Sequence, residues 1–480
     1  MIVATRPSSL PRVVRLRRAT RPRVNRTHVN RRGSLSLRAR LDAGPSLAIE
    51  QPWLSSNLRI GIKVGILLPI LLFAFSLLQN LSNMDTVDFH RDEARWINRA
   101  YFLGDLSRPF SDTWADYYTT RGQPPLGNYM MGIGLLLQGH DLDTNRVWDF
   151  TYNEAWNART GARPEPADLN AGRRTNAVLG AFVVVCVYLV ASRLTNRFGG
   201  FAAGLFLSLH PLHLRLSSQA LSDELLALLL ALSVLVAFRF ARSPSLGSGL
   251  MLGVLLGLGG AAKLSPLLLS IPLACFGVLW LVIHLWQSGG RAIAWNQARY
   301  GWLLTAQPLI AFTAFVAVNP YLWPSPWRRS WDLFDFRRSE MDGQSNAWPI
   351  AGVDGWLTAL ARTGRRFNRD YSTSLRIQDW FGDVATVSFR HIPLDAVLMA
   401  AGVVVLIGIV VRRGLWSPHA LAAFLMASQC AVVIMGMGVD FYRYFLPLLI
   451  GGSVCVGVGF GSGFDVFRRR FVRRRLRAAP

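Results

Sequence analysis

Apolar residues fall along this chain in blocks rather than in alternation. Ten blocks stand out: Ile60–Gln79, Thr175–Val190, Phe198–Leu209, Ala220–Phe238, Leu246–Ala262, Leu264–Trp286, Trp302–Val318, Leu394–Val411, Leu421–Met437 and Tyr442–Phe460. An apolar run of about 20 residues crosses a hydrocarbon core roughly 30 Å thick. Backbone polar groups in lipid must pair within the segment, so each block predicts a helix. The pattern predicts an all-α polytopic membrane protein, a bundle of about ten transmembrane helices. Two polar stretches are long: Asn80–Gly172 after the first block and Asn319–Pro393 after the seventh.

The first of these loops carries its own periodicity. Trp96, Ile97, Ala100 and Tyr101 mark one stripe of a helix over Asp92–Gly104, with Asp92, Arg95 and Arg99 on another face. This predicts a short amphipathic helix lying on the membrane surface. Gly127–Gln138 is apolar but only about 12 residues long, short for a span, and reads as interfacial or re-entrant.

Charge gives the bundle an orientation. The net charge is +24, which on its own would suit a nucleic-acid binder. Residues 1–59 hold thirteen Arg against Asp42 and Glu50, and residues 466–480 hold seven Arg and no acid, so +18 of the total lies in two tails beside spans. The positive-inside rule makes both tails cytoplasmic, as an even number of spans requires. The basic loops Gln287–Tyr300 and Arg412–His419 fall on that side too. No aromatic or Gly pattern interleaves the Arg, so no nucleic-acid partner is expected. Twelve Arg and no acid over residues 1–41 also fit an organellar transit peptide, but Pro7, Pro11 and Pro22 interrupt a long amphipathic helix. The expected organisation is a basic, disordered cytoplasmic tail (1–59), a transmembrane domain (60–465) with outer loops 80–172 and 319–393, and a basic cytoplasmic tail (466–480). The tails would touch anionic lipid heads. Cys186, Cys275, Cys430 and Cys455 lie in apolar blocks and read as small fillers.

With this orientation five polar constellations fall on the outer face. Asp92-Glu93 follows the first span, and residue physics alone reads it as a helix N-terminus, where acids favour the dipole. Gln123-Pro124-Pro125-Leu126-Gly127 is a rigid turn in which Gly permits close approach. Ser217 to Glu224 opens the fourth span with Asp223, costly at that depth unless paired or hydrated. Lys263 stands alone between the fifth and sixth spans. Arg443 and Tyr444 enter the last span in Asp440-Phe441-Tyr442-Arg443-Tyr444-Phe445-Leu446-Pro447. Acids and bases mixed at a lipid–water boundary suit a substrate with a phosphate head, an apolar tail and a hydroxyl to activate.

The order of these motifs resembles the GT-C superfamily of glycosyltransferases. The most similar branches are dolichyl-phosphate-mannose protein mannosyltransferases and the bacterial aminoarabinose transferase of lipid A. Asp92-Glu93-Ala94-Arg95-Trp96 resembles an Asp-Glu-x-Arg-aromatic signature. The Pro124-Pro125 turn resembles a His-Pro-Pro-Leu-Gly or Lys-Pro-Pro-Leu motif. Arg173 resembles an Arg at the foot of the second span, and Arg443-Tyr444 to Pro447 an Arg-Tyr-x-x-Pro opening of a late span. The chain departs from the pattern at Gln123, Asn128 and Ser218, positions where relatives often carry basic residues.

The resemblance implies a multi-pass protein of the inner (plasma) membrane with its active site on the extracytoplasmic face. It implies a polyprenyl-phosphate-linked sugar donor and an acceptor hydroxyl on a protein, polysaccharide or lipid, with inversion at the sugar. Asp92 would be the general base. Arg443 and Lys263 would stabilise the leaving phosphate. Glu93 would orient the acceptor or bind an acceptor loop, and Arg95, Pro124, Pro125, Arg173, Asp223 and Tyr444 would line the substrate site. Asp92 and Glu93 could hold a divalent metal, although no His cluster or carboxylate spacing demands one. A secondary transporter is the alternative. It predicts ionisable groups near mid-span and broken helices in paired halves, and no internal repeat of that kind is evident.

Overall fold

The computed structural model describes residues 52–289, 295–381 and 392–478. Most of the expected N-terminal tail lies outside these residues, as does the middle of the basic 287–300 loop. Residues 58–480 form one compact unit. Among the described residues the structure is helical, and its only β feature is an isolated bridge between Gly352 and Val439.

The helices that matter here are α1 (Pro52–Asn83), α2 (Arg91–Asn98), α3 (Leu126–Leu137), α4 (Pro166–Leu194), α5 (Arg197–Leu209) and α6 (Pro211–Ser217). They continue with α7 (Asp223–Arg242), α8 (Leu246–Ala262), α9 (Ser270–Gln287), α10 (Trp295–Thr305) and α11 (Gln307–Ala317). The second long loop folds into α12 (Pro326–Ala347), α13 (Trp356–Arg365) and α14 (Thr373–Phe381), and the bundle closes with α15 (Leu394–Arg413), α16 (Pro418–Met435) and α17 (Leu446–Ala478). The basic C-terminal stretch thus continues the last helix.

Seven helical segments are long and apolar enough to cross a bilayer, and α10 with α11, bent by 44° between them, makes eight. The blocks at α5 and α8 are shorter, yet both run from one end of the bundle to the other. Arg173 in α4 and Asp223 at the start of α7 mark one end. α8 leaves the far end of α7 and returns until Lys263, just past its last residue, pairs with Asp223. α5 starts where Asn196 donates to the Gly461 carbonyl of α17 at 2.8 Å. Its continuation α6 ends where Ser217 and Ser218 bond to Asn80 of α1 at 3.1 and 3.0 Å. All ten predicted blocks are helical, but among the described residues only seven, or eight with the bent pair, are long and apolar enough to span, against the ten expected. The break between α5 and α6 falls at His210-Pro211, where proline cannot donate its backbone bond.

Helices in lipid gain little from burying apolar side chains against one another, so close contact through small residues holds them together. A Cβ on Gly457 would lie 2.4 Å from the Gly199 carbonyl oxygen, and one on Gly402 would lie 1.9 Å from that of Cys455. These glycines seat α17 against α5 and α15. The outer faces are apolar, with Ile66, Ile70, Leu78, Val282, Val404 and Val411 all exposed.

The two long loops differ in how they meet the membrane. The Trp96–Ile97–Ala100 stripe does not lie on a lipid surface. It is buried against protein, because Gly127, Gly132 and Gly172 on α3 and α4 leave room for it. The exposed aromatic faces belong to the second loop, at Trp327 and Trp331 on α12, Trp356, Leu357 and Leu360 on α13, and Trp380 on α14. Indole rings favour the headgroup level.

Candidate active site

The first long loop is anchored by the start of α2. His90 caps the helix, its Nδ1 accepting from the Asp92 N–H at 3.1 Å, while Glu93 accepts from the His90 N–H at 2.8 Å. This is a capping box with His in the usual Ser/Thr place. The helix-terminus reading of the acid pair thus applies to Glu93, which does much more than cap. Arg173 of α4 grips it through both arms at 2.8 and 2.9 Å, and the Ala220 N–H adds a bond at 2.9 Å. Arg173 also donates to the Met84 carbonyl at 2.6 Å. Glu93, fully buried, therefore ties the end of α1, the foot of α4 and the turn before α7 into one knot.

Asp92, one residue earlier, turns the other way and pairs with Arg443 at the head of the last span. Asp223 pairs with Lys263 across the α7–α8 helical pair and keeps its second carboxylate oxygen unpartnered among the described residues. The two pairs belong to one cluster. The Tyr444 ring lies 5.7 Å from the Arg443 guanidinium and 6.0 Å from the Lys263 ammonium, between the two cations. The Pro124-Pro125 turn closes a side. A Cβ on Gly127 would collide with Trp96 at 2.5 Å and with Ser222 at 2.7 Å, so only glycine lets the turn reach the residue before Asp223. Arg95 bonds to the Tyr118 hydroxyl at 2.7 Å, and that hydroxyl bonds to Glu340 of α12 at 3.1 Å, which joins the two long loops beside the cluster.

Asp92, Arg95, Asp223, Lys263, Arg443 and Tyr444 thus gather at one end of the bundle, with Pro124 and Pro125 forming the neighbouring turn. Glu93 and Arg173 stand behind this cluster as a separate pair. The two acids pair with different cations, Asp92 with Arg443 and Glu93 with Arg173. Among the described residues no group of three or more His, Cys, Asp or Glu side chains is placed to hold one.

Four further residues were not singled out from sequence. Tyr442 donates to Gln219 at 3.0 Å, Gln219 donates to the Asp88 carbonyl at 3.1 Å, and the Arg215 guanidinium lies 4.9 Å over the Tyr442 ring. Gln219 and Tyr442 lie inside two of the constellations assigned to the outer face, but their contact with each other and with Arg215 does not follow from the sequence. Asn128, noted only as a departure from the family pattern, is fully buried with both amide atoms unpartnered. A buried amide in that state marks a place for water or ligand.

Electrostatics set the resting state of Asp92. Burial works to raise its pKa, but the charge of Arg443, aided by His90 and Arg95, outweighs burial and holds the carboxyl well below the usual range. Burial lowers the His90 pKa as well, against the pull of Asp92. The cluster is therefore a carboxylate clamped by a guanidinium, beside a second acid–base pair.

Residues 166–320, from α4 to α11, match the family model of dolichyl-phosphate-mannose-protein mannosyltransferase. The match is about a third of the chain. It contains Arg173, Asp223 and Lys263, and it supports the superfamily resemblance read from the motifs. No curated protein matches the chain. Among solved structures, the Saccharomyces cerevisiae protein O-mannosyltransferase Pmt1–Pmt2 complex bound to the sugar donor is similar at 18% identity and TM-score 0.38, covering 52% of this chain and 33% of that one. The Archaeoglobus fulgidus oligosaccharyltransferase AglB, with an inhibitory peptide and a dolichol-phosphate, is similar at 12% identity and TM-score 0.47, covering 86% of this chain and 52% of that one. The same enzyme tethered to an acceptor peptide gives 11% identity, TM-score 0.47 and coverages of 83% and 49%. The chain spans about half the length of these proteins, or less.

Proposed function

We propose that this protein is a membrane glycosyltransferase that moves a sugar, hexosyl or pentosyl, from a polyprenyl-phosphate donor to an acceptor hydroxyl with inversion. The observation that carries the reading is the convergence of Asp92, Asp223, Lys263 and Arg443 on one end of the bundle. Arg443 and Lys263 receive the donor phosphate, while the polyprenyl chain stays in lipid. The acceptor oxygen attacks the anomeric carbon, its proton passes to Asp92, and the carbon–oxygen bond to phosphate breaks with the electron pair leaving on phosphate.

In the resting protein Arg443 masks the base. A donor phosphate competes for the guanidinium and frees Asp92, so donor binding assembles the catalyst. Glu93 and Arg173 position α2 rather than touch substrate. Arg239, Arg242, Arg412 and Arg413, at the ends of helices away from the cluster, support a cytoplasmic far end and an extracytoplasmic site in the plasma (inner) membrane.

The test is transfer from radiolabelled polyprenyl-phosphate hexose and pentose in purified membranes, alongside mass spectrometry of envelope glycans from a deletion strain. The expected result is release of free polyprenyl phosphate by one donor and loss of one sugar from the envelope. No turnover of either donor together with an unchanged envelope would sink the reading.

A further inference from the structure

Beside the ion cluster lies a second recess, ≈ 510 Å³ in volume. Its walls come from the turn Trp348–Ala351, the arginine face of α13 and the segment Asp440–Phe441. The recess is fixed to the site by backbone pairing. Val353 N–H donates to the Gly438 carbonyl at 3.0 Å, and Asp440 N–H donates to the Ala351 carbonyl at 2.8 Å. Phe441 lines the recess and also stands 5.7 Å from the Arg443 guanidinium. A molecule seated there reaches toward the reacting end of the cluster.

The lining mixes apolar side chains, Trp348, Pro349, Ile350 and Phe441, with charges that are unevenly matched. Asp440 holds Arg366 at 2.9 Å and Arg362 at 3.6 Å, and Asp370 holds Arg366 at 2.9 Å. These pairs are internal struts. Arg365, also in the lining, has no side-chain hydrogen bond or ion pair among the described residues. Trp348 is 52% exposed and meets the Phe441 ring edge-on at 6.0 Å. An open indole stacks the C–H face of a sugar ring. A guanidinium without a counter-charge forks a carboxylate or phosphate. Carboxylates already fixed in place accept from ring hydroxyls. A neutral glycan would leave Arg365 unmatched.

The geometry points to this recess as the seat of an acidic saccharide, sugar rings bearing carboxylate or phosphate, held on Trp348 and Arg365 as the acceptor for the neighbouring cluster. The acceptor role rests on the transferase reading; binding in the recess does not. Calorimetry on the full-length protein in nanodiscs tests it with four probes: tetragalacturonate, phosphopentamannose, maltotetraose and a Ser/Thr-rich peptide. At least one acidic probe should bind about tenfold or more tightly than maltotetraose, and the two acidic probes distinguish carboxylate from phosphate. Arg365→Ala should weaken that binding about tenfold, the worth of one charge-assisted contact. Trp348→Ala should weaken it as well. Both side chains are exposed, so melting temperature should hold. The proposal is overturned if neither acidic probe binds, if binding ignores both substitutions, or if the peptide binds instead and both substitutions abolish it. Binding of polyprenyl phosphate alone is measured in parallel and should be unchanged in both variants. Its absence in the unmodified protein would remove the transferase reading and leave the saccharide result standing.

Discussion

Adjacent residues of one helix anchor two ion pairs that could hardly differ more. Glu93–Arg173 is sealed: the carboxylate has no exposed surface and accepts from Arg173, His90 and Ala220, while Arg173 finds further acceptors in the α1–α2 connection. Asp92–Arg443 is open. The Arg443 side chain keeps 14% of its surface, its other donors have no protein acceptor among the described residues, and a second cation, Lys263, stands across the Tyr444 ring. A sealed pair with every hydrogen-bonding position filled leaves none for a ligand. A pair with spare donors and a neighbouring cation can exchange its partner for a ligand anion. Satisfaction of the surrounding polar groups, more than burial or charge, is what distinguishes the two acids, and it is the ground on which the proposed function gives them different roles.

Asp92→Asn breaks this comparison hardest. The cap belongs to His90 and Glu93, so the amide at position 92 leaves the helix start intact. Transfer should fall by about 10² to 10⁴, the usual worth of positioned proton transfer. Loss of the Arg443 pair should lower the melting temperature somewhat, so turnover is compared per folded protein. Near-normal turnover would return Asp92 to the structural class and leave the cluster without a base.

Glu93→Gln tests the sealed side. It leaves the Arg173 charge buried against a neutral amide, and breaking a buried pair this way costs about 3–5 kcal/mol of stability. The folded fraction should still turn over, within several-fold of the unmodified protein. A melting temperature that did not move would mean the knot is dispensable. A large loss of rate in fully folded protein would move Glu93 into the reacting site.

These acids also show where sequence reading stops. The ten apolar blocks and the short amphipathic start of α2 were legible because lipid imposes length and periodicity on each segment. The convergence of Asp92, Asp223, Lys263 and Arg443 was legible through topology, since alternating spans bring their ends to the same side. The division of labour within Asp92-Glu93 was not, because it depends on which way each side chain leaves one turn of helix. Nor was the seat of the Trp96 stripe, whose amphipathy fits a membrane surface as well as a bed of glycines on α3 and α4. Tyr442, Gln219 and Arg215 sit in ordinary positions of their own helices and connections, and only the fold brings them together.

Arg443 carries a smaller, graded test. Arg443→Ala should weaken polyprenyl phosphate binding strongly, and Arg443→Lys should restore it only in part. An ammonium keeps the charge but lacks the planar fork, a difference of about tenfold for a bidentate phosphate contact. Binding of polyprenyl phosphate to the three forms, measured in nanodiscs, should rank arginine above lysine above alanine. Equal binding by arginine and alanine would remove this residue from the donor site.

The subtlest expected effect is in pH dependence, and it bears on partner exchange directly. In the ligand-free protein the Asp92 pKa is depressed by Arg443 against the opposing pull of burial. A depressed folded pKa gives stability that is present above the ordinary carboxylate value, about 3.9, and is lost only as pH falls below it toward the folded pKa. This contribution should therefore be flat from pH 7 to about 4. Donor binding changes the sign of the environment, because phosphate takes the guanidinium and brings its own negative charge, while burial remains. The Asp92 pKa should then rise toward the range useful to a general base. The acid limb of kcat, which reports the complex, should lie above that of kcat/KM for the donor, which reports the free protein, by about one pH unit or more. Between pH 4 and 8, initial rates at saturating donor should show the acid limb, and those at limiting donor should show no Asp92 limb, because it lies below that window. Coincident limbs, or the reverse order, would mean that Arg443 stays on Asp92 through the reaction, and the open pair would then be as structural as the sealed one beside it.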